Sequence, residues 1–218
     1  MDFDGFVEYA LEISRTDASP VRVLQDTAGS TKGGIGSTVW DAGIVLAKYI
    51  DWQVSQGNMD LSGKTVLELG AGTGIVGITV ACLQPECSIV LTDKETLVPL
   101  LERNIALNKT HGNVSARCLD WSNAEHQEIV SKSVPDLILV SDCIWIKDLH
   151  QPLADTLARL AGSNTTVLLA YETRKFDEEA QFMAQWSNCF RFHDIKPQDQ
   201  HPVMQSEDIF LFSGCLKK

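Results

Sequence analysis

Basic side chains are scarce in this sequence of 218 residues. Lys and Arg number 18 and Asp and Glu number 29, so the formal net charge is −11 at pH 7. Because a surface that binds phosphate backbones must carry positive charge, this balance opposes general attraction to nucleic acid. We therefore expect no nucleic-acid partner.

Long apolar runs are absent as well, and no secretory signal is visible. The longest apolar stretch, around Ile75–Leu83, falls well short of the roughly 18 residues that cross a bilayer. The acidic start at residues 1–4 lacks the basic and apolar regions of a signal peptide. The sequence therefore predicts a cytoplasmic protein with no membrane partner.

The cysteines follow no metal-binding spacing. No Cys-x-x-Cys pair and no His-x-x-x-His partner occurs, so a zinc site has no support and we expect no metal. Several cysteines lie in apolar, strand-like runs, where a free thiol behaves as a small buried hydrophobic group, which is typical of a reducing compartment. The six cysteines are Cys82, Cys87, Cys118, Cys143, Cys189 and Cys215.

The composition is that of a globular chain with one large core. Hydrophobic residues make up 44% and charged residues 22% of the sequence. The length predicts one domain, or one domain with a short arm. Residues 1–38 are the least regular part and end in a connection rich in Gly, Ser and Thr at residues 27–38. We therefore divide the chain into an N-terminal arm, residues 1–38, and a main domain, residues 39–218.

Two elements are predicted near this boundary. Residues 21–24 favour a short strand, and residues 39–54 carry apolar side chains at helical spacing. Thr38, with Asp41 three residues later, resembles an N-terminal capping box in which Asp replaces the usual Glu. We expect a helix that this pair caps.

Strand-like and helix-like segments alternate through the main domain. Strands are predicted at residues 65–69, 88–92, 113–119, 136–140 and 165–170, and helices at residues 75–83, 97–108, 123–132 and 149–160. This alternation is typical of a parallel sheet covered by helices on both faces. A last helix at residues 177–186 and two strands at residues 190–195 and 209–214 follow, and these strands have no helix between them. The sequence thus predicts an α/β, Rossmann-like three-layer sandwich with a seven-stranded, mostly parallel sheet and an antiparallel hairpin at one edge.

A glycine-rich loop follows the first strand of this alternation. Residues 65–69 run directly into Gly-Ala-Gly-Thr-Gly at residues 70–74 and then into a helix, which is the context of a nucleotide-binding loop. Residues 72–77 also fit the dinucleotide pattern G-x-G-x-x-G. Asp93 ends the next strand and is placed to accept hydrogen bonds from ribose hydroxyls in either class of cofactor.

Glu68 helps to distinguish a dinucleotide cofactor from S-adenosylmethionine, the two classes of cofactor that such a loop could bind. It lies two residues before the first glycine, where an unpaired carboxylate would repel a pyrophosphate. S-adenosylmethionine brings an ammonium and a sulfonium, which suit a carboxylate. The alternative interpretation is a loop that merely turns tightly and a Glu68 that bonds to neighbouring backbone.

Several segments resemble a known family. Residues 66–74 resemble motif I of the seven-β-strand methyltransferases. Four further segments make the chain similar to the methyltransferase-like protein-lysine methyltransferases: Val39-Trp40-Asp41, Asp120-Trp121, Asp142-Cys143-Ile144-Trp145 and Tyr171-Glu172-Thr173-Arg174. The similarity covers about residues 24–212 and is greatest to members that methylate valosin-containing protein, an AAA ATPase; members that methylate Hsp70 are near relatives. The resemblance implies a class I methyltransferase, S-adenosylmethionine as cofactor, and a protein substrate of the AAA ATPase or Hsp70 chaperone type.

The resemblance also implies a set of cofactor contacts. Trp40 would close over the cofactor, and Gly70, Ala71 and Gly72 would line its methionine end. Asp93 would hold the ribose, Trp121 the adenine, and Ser141 would make a backbone contact beside the reaction centre. Glu68 joins this set through the charge argument above and not through the resemblance. An indole face offers π-surface to adenine or to a cation, which makes physical sense of the two tryptophans.

Three residues are implied at the reaction centre: Asp142, Trp145 and Glu172. Asp142 and Glu172 follow successive strands of the predicted sheet, at the strand ends where open α/β sheets bind ligands. The family's motif is Asp-x-x-Tyr, whereas this chain has Trp145, whose indole donates a hydrogen bond but accepts none. Structural ion pairing of both carboxylates with Arg174 is the alternative interpretation.

Two other functions stay open at this point. The pattern at residues 72–77, together with Tyr171 and Lys175, is also found in nicotinamide-dependent oxidoreductases. The departure at Trp145 leaves room for a catalytically inactive binding module with the same fold. Lysine methylation with S-adenosylmethionine is the leading prediction.

Overall fold

A computed structural model describes residues 5–14, 19–28, 33–84, 86–110, 113–130 and 133–217. Its strands are β1 (Val7–Leu11), β2 (Val21–Gln25), β3 (Thr65–Leu69), β4 (Ser88–Asp93), β5 (Asn113–Cys118), β6 (Leu137–Ser141), β7 (Thr166–Glu172), β8 (Phe190–Asp194) and β9 (Ile209–Leu216). Its α-helices are α1 (Asp41–Ser55), α2 (Ile75–Leu83), α3 (Val98–Leu107), α4 (Ala124–Val130), α5 (His150–Leu160) and α6 (Phe176–Cys189). Short 3₁₀ turns lie at Gly34–Ser37, Lys147–Leu149 and Pro197–Asp199.

Seven strands form the central sheet in the order β5-β4-β3-β6-β7-β9-β8. The first five strands run parallel to one another, and β9 pairs antiparallel with both β7 and β8. The predicted seven-stranded, mostly parallel sheet and its C-terminal antiparallel hairpin are confirmed. The hairpin joins the sheet through its second strand, so that β9 lies inside the sheet and β8 forms the edge.

Helices cover both faces of the sheet and enclose two separate cores. On one face, α1 and α2 pack together over β3, β4, β6 and β7. On the other face, α5 and α6 pack together, and Phe182 and Trp186 are fully buried there. Because the central strands are buried on both faces, they consist of nearly continuous apolar runs rather than an alternating pattern. The predicted three-layer α/β architecture is confirmed.

The N-terminal segment joins the first of these cores. Strands β1 and β2 form an antiparallel pair, and Val21 and Val23 are fully buried in the same core as α1 and α2. Part of the predicted connection, residues 29–32, lies outside the described residues, as do the last two residues of the predicted helix at 123–132. The domain boundary at residue 38 stays a prediction. Within the described residues, no helix is long and apolar enough to span a bilayer.

The predicted capping box at the start of α1 is wrong. The residue that precedes the first helical turn is Trp40, and its side chain caps no backbone group. The Thr38 hydroxyl instead donates to the Asp26 carbonyl oxygen at 2.9 Å, which ties the start of α1 to the end of β2. Asp41 still lies in the first turn, where its negative charge favours the positive end of the helix dipole.

Candidate active site

The glycine loop lies at the strand-to-helix junction that its sequence predicts, between β3 and α2. Gly70, Gly72 and Gly74 have φ angles of 63°, 56° and 80°, in the left-handed region that glycine enters without a steric cost. A Cβ atom on Gly72 would lie 2.8 Å from the Gly36 carbonyl oxygen. The loop therefore needs glycine for its turns and for its close approach to the 3₁₀ turn at Gly34–Ser37.

A cavity of about 220 Å³ opens above this loop, at the carboxyl edge of the sheet. Parallel sheets of this kind bind their ligands at that edge. The cavity lining brings together nine of the eleven residues that the sequence implicated: Trp40, Gly70, Ala71, Gly72, Asp93, Trp121, Ser141, Asp142 and Trp145. Glu68 and Glu172 do not belong to this lining.

Asp93 is fixed at the edge of the cavity by backbone hydrogen bonds. Its Oδ2 accepts from the Gly72 N–H at 2.8 Å, and its Oδ1 accepts from the Lys94 N–H at 2.7 Å. Burial raises the pKa of Asp93, and these two hydrogen bonds oppose that increase. Since a carboxylate oxygen can accept two hydrogen bonds, each oxygen keeps a lone pair for a ligand hydroxyl.

Two tryptophans border the cavity. Trp121 packs over the glycine loop, since a Cβ atom on Gly70 would lie 3.1 Å from the indole Cζ2. The Trp121 Nε1 is buried and has no hydrogen-bond partner among the described residues, so its capacity to donate is unused. Trp40 is exposed on the outer side, where its Nε1 donates to the Ile35 carbonyl oxygen at 3.0 Å. Together they provide one inner and one outer aromatic wall.

Glu68 lies beneath the glycine loop and not in the cavity. Its side chain is buried, its Oε2 accepts from the Gly77 N–H at 2.9 Å, and its Oε1 has no partner among the described residues. Burial raises the pKa of Glu68 to about 8, with a smaller contribution from the negative charge of Asp93. The carboxyl group therefore bonds to neighbouring backbone and is neutral at pH 7, which weakens the charge argument against a pyrophosphate. A contact between Glu68 and the cofactor stays a prediction.

Asp142 has an unusual backbone conformation at the end of β6. Its φ of 53° is the only positive value of a non-glycine residue in the described part of the chain. The Asp142 Oδ1 accepts from the Glu172 N–H at 3.0 Å, and the side chain is only 6% exposed. This turn directs the carboxylate across the strand end towards β7.

Arg174 joins the two predicted reaction-centre carboxylates. Its Nη1 and Nη2 donate to Asp142 Oδ1 and Oδ2 at 3.0 and 3.1 Å, and Nη2 also donates to Glu172 Oε2 at 2.5 Å. The guanidinium carbon lies 5.2 Å from the centre of the Trp40 ring. The ion pairing that the sequence offered as an alternative is thus present, and Glu172 is linked to the cavity through Arg174.

A second cavity, of about 190 Å³, adjoins the first on its outer side. Its lining consists of Ile35, Trp40, Asp142, Trp145 and Arg174, and all of these except Arg174 also line the first cavity. Ile35, Trp40 and Trp145 are exposed at the surface. The two cavities therefore adjoin, and we call them together the passage from the surface to the glycine loop.

Sequence reasoning missed two features of this site. The turn at Gly34–Ser37 carries no periodic pattern, so nothing in the sequence indicated that Ile35 and Gly36 would line the cavity. Cys143 was assigned only as part of a motif, yet its buried Sγ lies beneath Gly70, 2.5 Å from where a Cβ atom would stand. Burial raises the pKa of Cys143 well above its usual value, which keeps it a neutral thiol. Its position among apolar residues was the available signal.

Comparison with known proteins identifies the family. A family described as "Lysine methyltransferase" matches residues 17–188. The chain is 31% identical to protein N-lysine methyltransferase METTL21A of Danio rerio, over 78% of this chain and 75% of that protein. It is 32% identical to METTL21A of Mus musculus (77% and 76%) and 32% identical to EEF1A lysine methyltransferase 3 of Xenopus tropicalis (76% and 66%).

Solved structures share the fold at low sequence identity. A predicted O-methyltransferase from Agrobacterium tumefaciens has a TM-score of 0.60 at 14% identity and covers 81% of each chain. A TehB-like SAM-dependent methyltransferase from Corynebacterium glutamicum has a TM-score of 0.58 at 14% identity and covers 84% of this chain and 90% of that one. These likenesses show the class I methyltransferase fold alone.

The sequence left two alternatives open, a nicotinamide-dependent oxidoreductase and a non-catalytic module. The family match favours lysine methylation over both. The cavity also fits S-adenosylmethionine: it combines a glycine-dependent loop, an anchored carboxylate with free lone pairs and a buried indole N–H without a partner among the described residues. The chain therefore belongs to the lysine methyltransferase family and is a protein-lysine N-methyltransferase whose methyl donor is S-adenosylmethionine.

Proposed function

We propose that the protein substrate is valosin-containing protein, an AAA ATPase, or another chaperone such as an Hsp70. Support comes from the resemblance over about residues 24–212, which is greatest to members that methylate valosin-containing protein. A relative that covers 76% of this chain is named for EEF1A, so EEF1A is the competing substrate.

We also propose a cytoplasmic location, which the six free cysteines support.

The observation that carries lysine as the methyl acceptor is the passage from the surface to the glycine loop. Its outer part places one carboxylate, that of Asp142, beside the rings of Trp40 and Trp145. A carboxylate attracts an ammonium, and aromatic faces bind both ammonium and methylated ammonium through cation–π contact. We infer that the lysine side chain enters here and reaches the cofactor end-on.

The cofactor contacts follow from the same geometry. We infer that Asp93 accepts from the ribose hydroxyls through its remaining lone pairs, and that Trp121 stacks on the adenine. Gly70, Ala71 and Gly72 leave backbone room for the methionine end, and Ser141 lies beside the reaction centre. When bound, S-adenosylmethionine would supply a methyl group on a positively charged sulfur, and that sulfur is the leaving group when an amine attacks the methyl carbon.

The chain must also help the lysine to lose a proton. A free lysine has a pKa near 10.4, so only roughly one molecule in 10³ is a neutral nucleophile at pH 7. We propose that Asp142 and Glu172 hold the incoming ammonium at the mouth while its proton passes to water. Most of the rate then comes from the alignment of nitrogen, methyl and sulfur in the passage.

The exposed apolar side chains around the mouth support a protein substrate. Ile35, Trp40 and Trp145 present apolar surface at the entrance of the passage. Such a rim can pack against the residues that flank a target lysine, which a free amino acid lacks. We therefore propose recognition of a folded protein surface around the lysine.

A substrate comparison tests this proposal. Purified valosin-containing protein, an Hsp70 and EEF1A are each incubated with the enzyme and radiolabelled S-adenosylmethionine, and labelled lysines are located by mass spectrometry. We expect label on a lysine of valosin-containing protein, and less label with the Asp93→Ala variant as a control when S-adenosylmethionine is not saturating. Label on EEF1A alone would overturn the substrate assignment, and leave the family assignment intact.

A further inference from the structure

The proposed amine site already contains a cation that belongs to the chain. The Arg174 guanidinium binds both carboxylate oxygens of Asp142, one oxygen of Glu172 and the face of Trp40. Two carboxylates and an aromatic face are also the groups that would bind a lysine ammonium. Arg174 therefore occupies the position that the proposed function assigns to the substrate.

The carboxylate of Asp142 has little capacity left while this pairing holds. Its Oδ1 accepts from the Glu172 N–H and from Arg174 Nη1, and its Oδ2 accepts from Arg174 Nη2. Three of about four acceptor positions are thus filled. A lysine that docks on Asp142 must compete with the guanidinium.

We propose that Arg174 is an internal substitute for the substrate amine, which the target lysine displaces from Asp142 when the protein substrate binds. This inference rests on the proposed docking of lysine at Asp142. The displaced guanidinium keeps its contacts with the Glu172 Oε2, the Glu172 carbonyl oxygen and the Trp40 ring, and only its two hydrogen bonds to Asp142 are broken. The second carboxylate oxygen of Glu172 then faces the incoming ammonium together with Asp142. Arg174 thereby determines how strongly an amine must bind before it reaches the reaction centre.

The position of Arg174 permits this exchange. Its side chain is 31% exposed and that of Glu172 is 34% exposed, so their pairing lies near solvent. A surface pair of this kind contributes little, typically about 0–1 kcal/mol. The pair that is exchanged, between Arg174 and Asp142, is two-pronged and lies on a buried carboxylate, so it is the stronger one and yields only to another cation. Asp142 is only 6% exposed, so its buried carboxylate keeps a cation partner in both states. The two carboxylates exceed the guanidinium by one negative charge, which favours the entry of a second cation.

Steady-state kinetics of an Arg174→Ala variant test the proposal. Removal of the internal competitor should lower the KM for the protein substrate by at least about threefold, and kcat should change little. Guanidinium chloride at millimolar concentration should then raise the KM of the variant again, in competition with the protein substrate. Wild-type enzyme should not respond, and sodium chloride at equal ionic strength controls for screening.

A matched control removes a neighbouring charge. Lys175 lies next to Arg174 and pairs only with Glu178, by a contact of 3.3 Å between its Nζ and the Oε2, among the interactions of the described side chains. Lys175→Ala should leave the KM unchanged. If Arg174 merely holds Asp142 in place, Arg174→Ala should instead lower kcat, and guanidinium should restore kcat; that result would overturn the proposal. Should Arg174→Ala fail to fold, Arg174→Lys carries the same test, because an ammonium lacks the two-pronged geometry and competes less well.

A binding measurement separates this inference from the choice of substrate. n-Butylammonium chloride has the chemistry of a lysine side chain, and its binding can be measured without methyl transfer. Its titration is followed by the emission of Trp40, which is identified by the signal lost in Trp40→Phe. We expect tighter binding to Arg174→Ala than to wild type, by at least about threefold. Equal binding to both would overturn the proposal even if no protein substrate has been identified.

Discussion

At the scale of single residues, Asp93 tests the cofactor site. Asp93→Ala removes both acceptor oxygens at the cavity edge and should weaken S-adenosylmethionine binding by about 1–3 kcal/mol, since hydrogen-bond donors are left without partners. Isothermal titration calorimetry measures the affinity, and thermal unfolding shows whether the fold persists. An unchanged affinity would remove Asp93 from the site.

Asp142 tests the reaction centre. Asn is among the residues that tolerate the left-handed backbone seen here, so Asp142→Asn keeps the φ of 53° and the acceptor for the Glu172 N–H. We expect the fold to persist and the initial methylation rate to fall at least about tenfold, or about 1.4 kcal/mol in barrier. The exposed residue Asp148 supplies the control, Asp148→Asn. Wild-type rates in Asp142→Asn would mean that this carboxylate is structural.

Trp145 tests the departure from the family's Asp-x-x-Tyr motif. Trp145→Tyr restores a hydroxyl that can accept as well as donate a hydrogen bond. Activity should remain measurable, and the distribution of mono-, di- and trimethylated lysine should change. Mass spectrometry of the product at matched turnover measures this distribution; an identical distribution would show that the residue does not control the degree of methylation.

Glu68 predicts a dependence of stability on pH. Its pKa is about 8 in the folded chain and near 4.5 in the unfolded chain. Between these values the folded state holds a proton that the unfolded state has lost, so a rise in pH destabilises the fold by up to about 1.4 kcal/mol per pH unit. Glu68→Gln should flatten this decline when urea unfolding is measured from pH 5.5 to pH 8, whereas Glu102→Gln, on an exposed residue, should not. Parallel curves for Glu68→Gln and wild type would contradict the prediction.

At the scale of elements, α3 ties β2 to the glycine loop through one buried side chain. The Asn104 Nδ2 donates to the Thr73 carbonyl oxygen at 2.8 Å and to the Leu24 carbonyl oxygen at 3.1 Å, and its Oδ1 accepts from the Leu24 N–H at 2.8 Å. One turn later, Asn108 makes the same kind of pair with the N–H and carbonyl oxygen of Arg22. The N-terminal segment is therefore connected by hydrogen bonds to the cofactor loop.

The two asparagines allow a matched comparison. Asn104→Leu leaves three backbone groups without partners, the buried Thr73 carbonyl oxygen and the part-buried N–H and carbonyl oxygen of Leu24, and should destabilise the fold by on the order of 2–4 kcal/mol. It should also weaken S-adenosylmethionine binding, because the loop loses its anchor at Thr73. Asn108→Leu should destabilise the fold and leave the cofactor affinity unchanged. Equal losses of affinity in calorimetry would show that the effect is global.

At the scale of the whole molecule, the sheet was predictable because buried parallel strands are apolar runs. The edge strand β1 was not, because its residues are mostly exposed and only their pairing with β2 makes them a strand. The carboxyl ends of β4, β6 and β7 could be assigned to the site by the rule for open sheets. The placement of Glu68 could not, because one residue of alternation along β3 decides whether a side chain lies under α2 or beside the cavity. The turn at Gly34–Ser37 depends on contacts that no local pattern encodes.

The position of β9 inside the sheet has a consequence for the order of folding. One edge of β7 pairs with β6 and the other pairs with β9. Until residues 209–216 leave the ribosome, the edge that β9 will cover keeps unpaired backbone N–H and carbonyl groups. Such an edge is a template for aggregation. A nascent chain stalled before Ile209 should therefore bind holdase chaperones during synthesis, although its cofactor loop is already complete, and release from them should coincide with the arrival of the last strand.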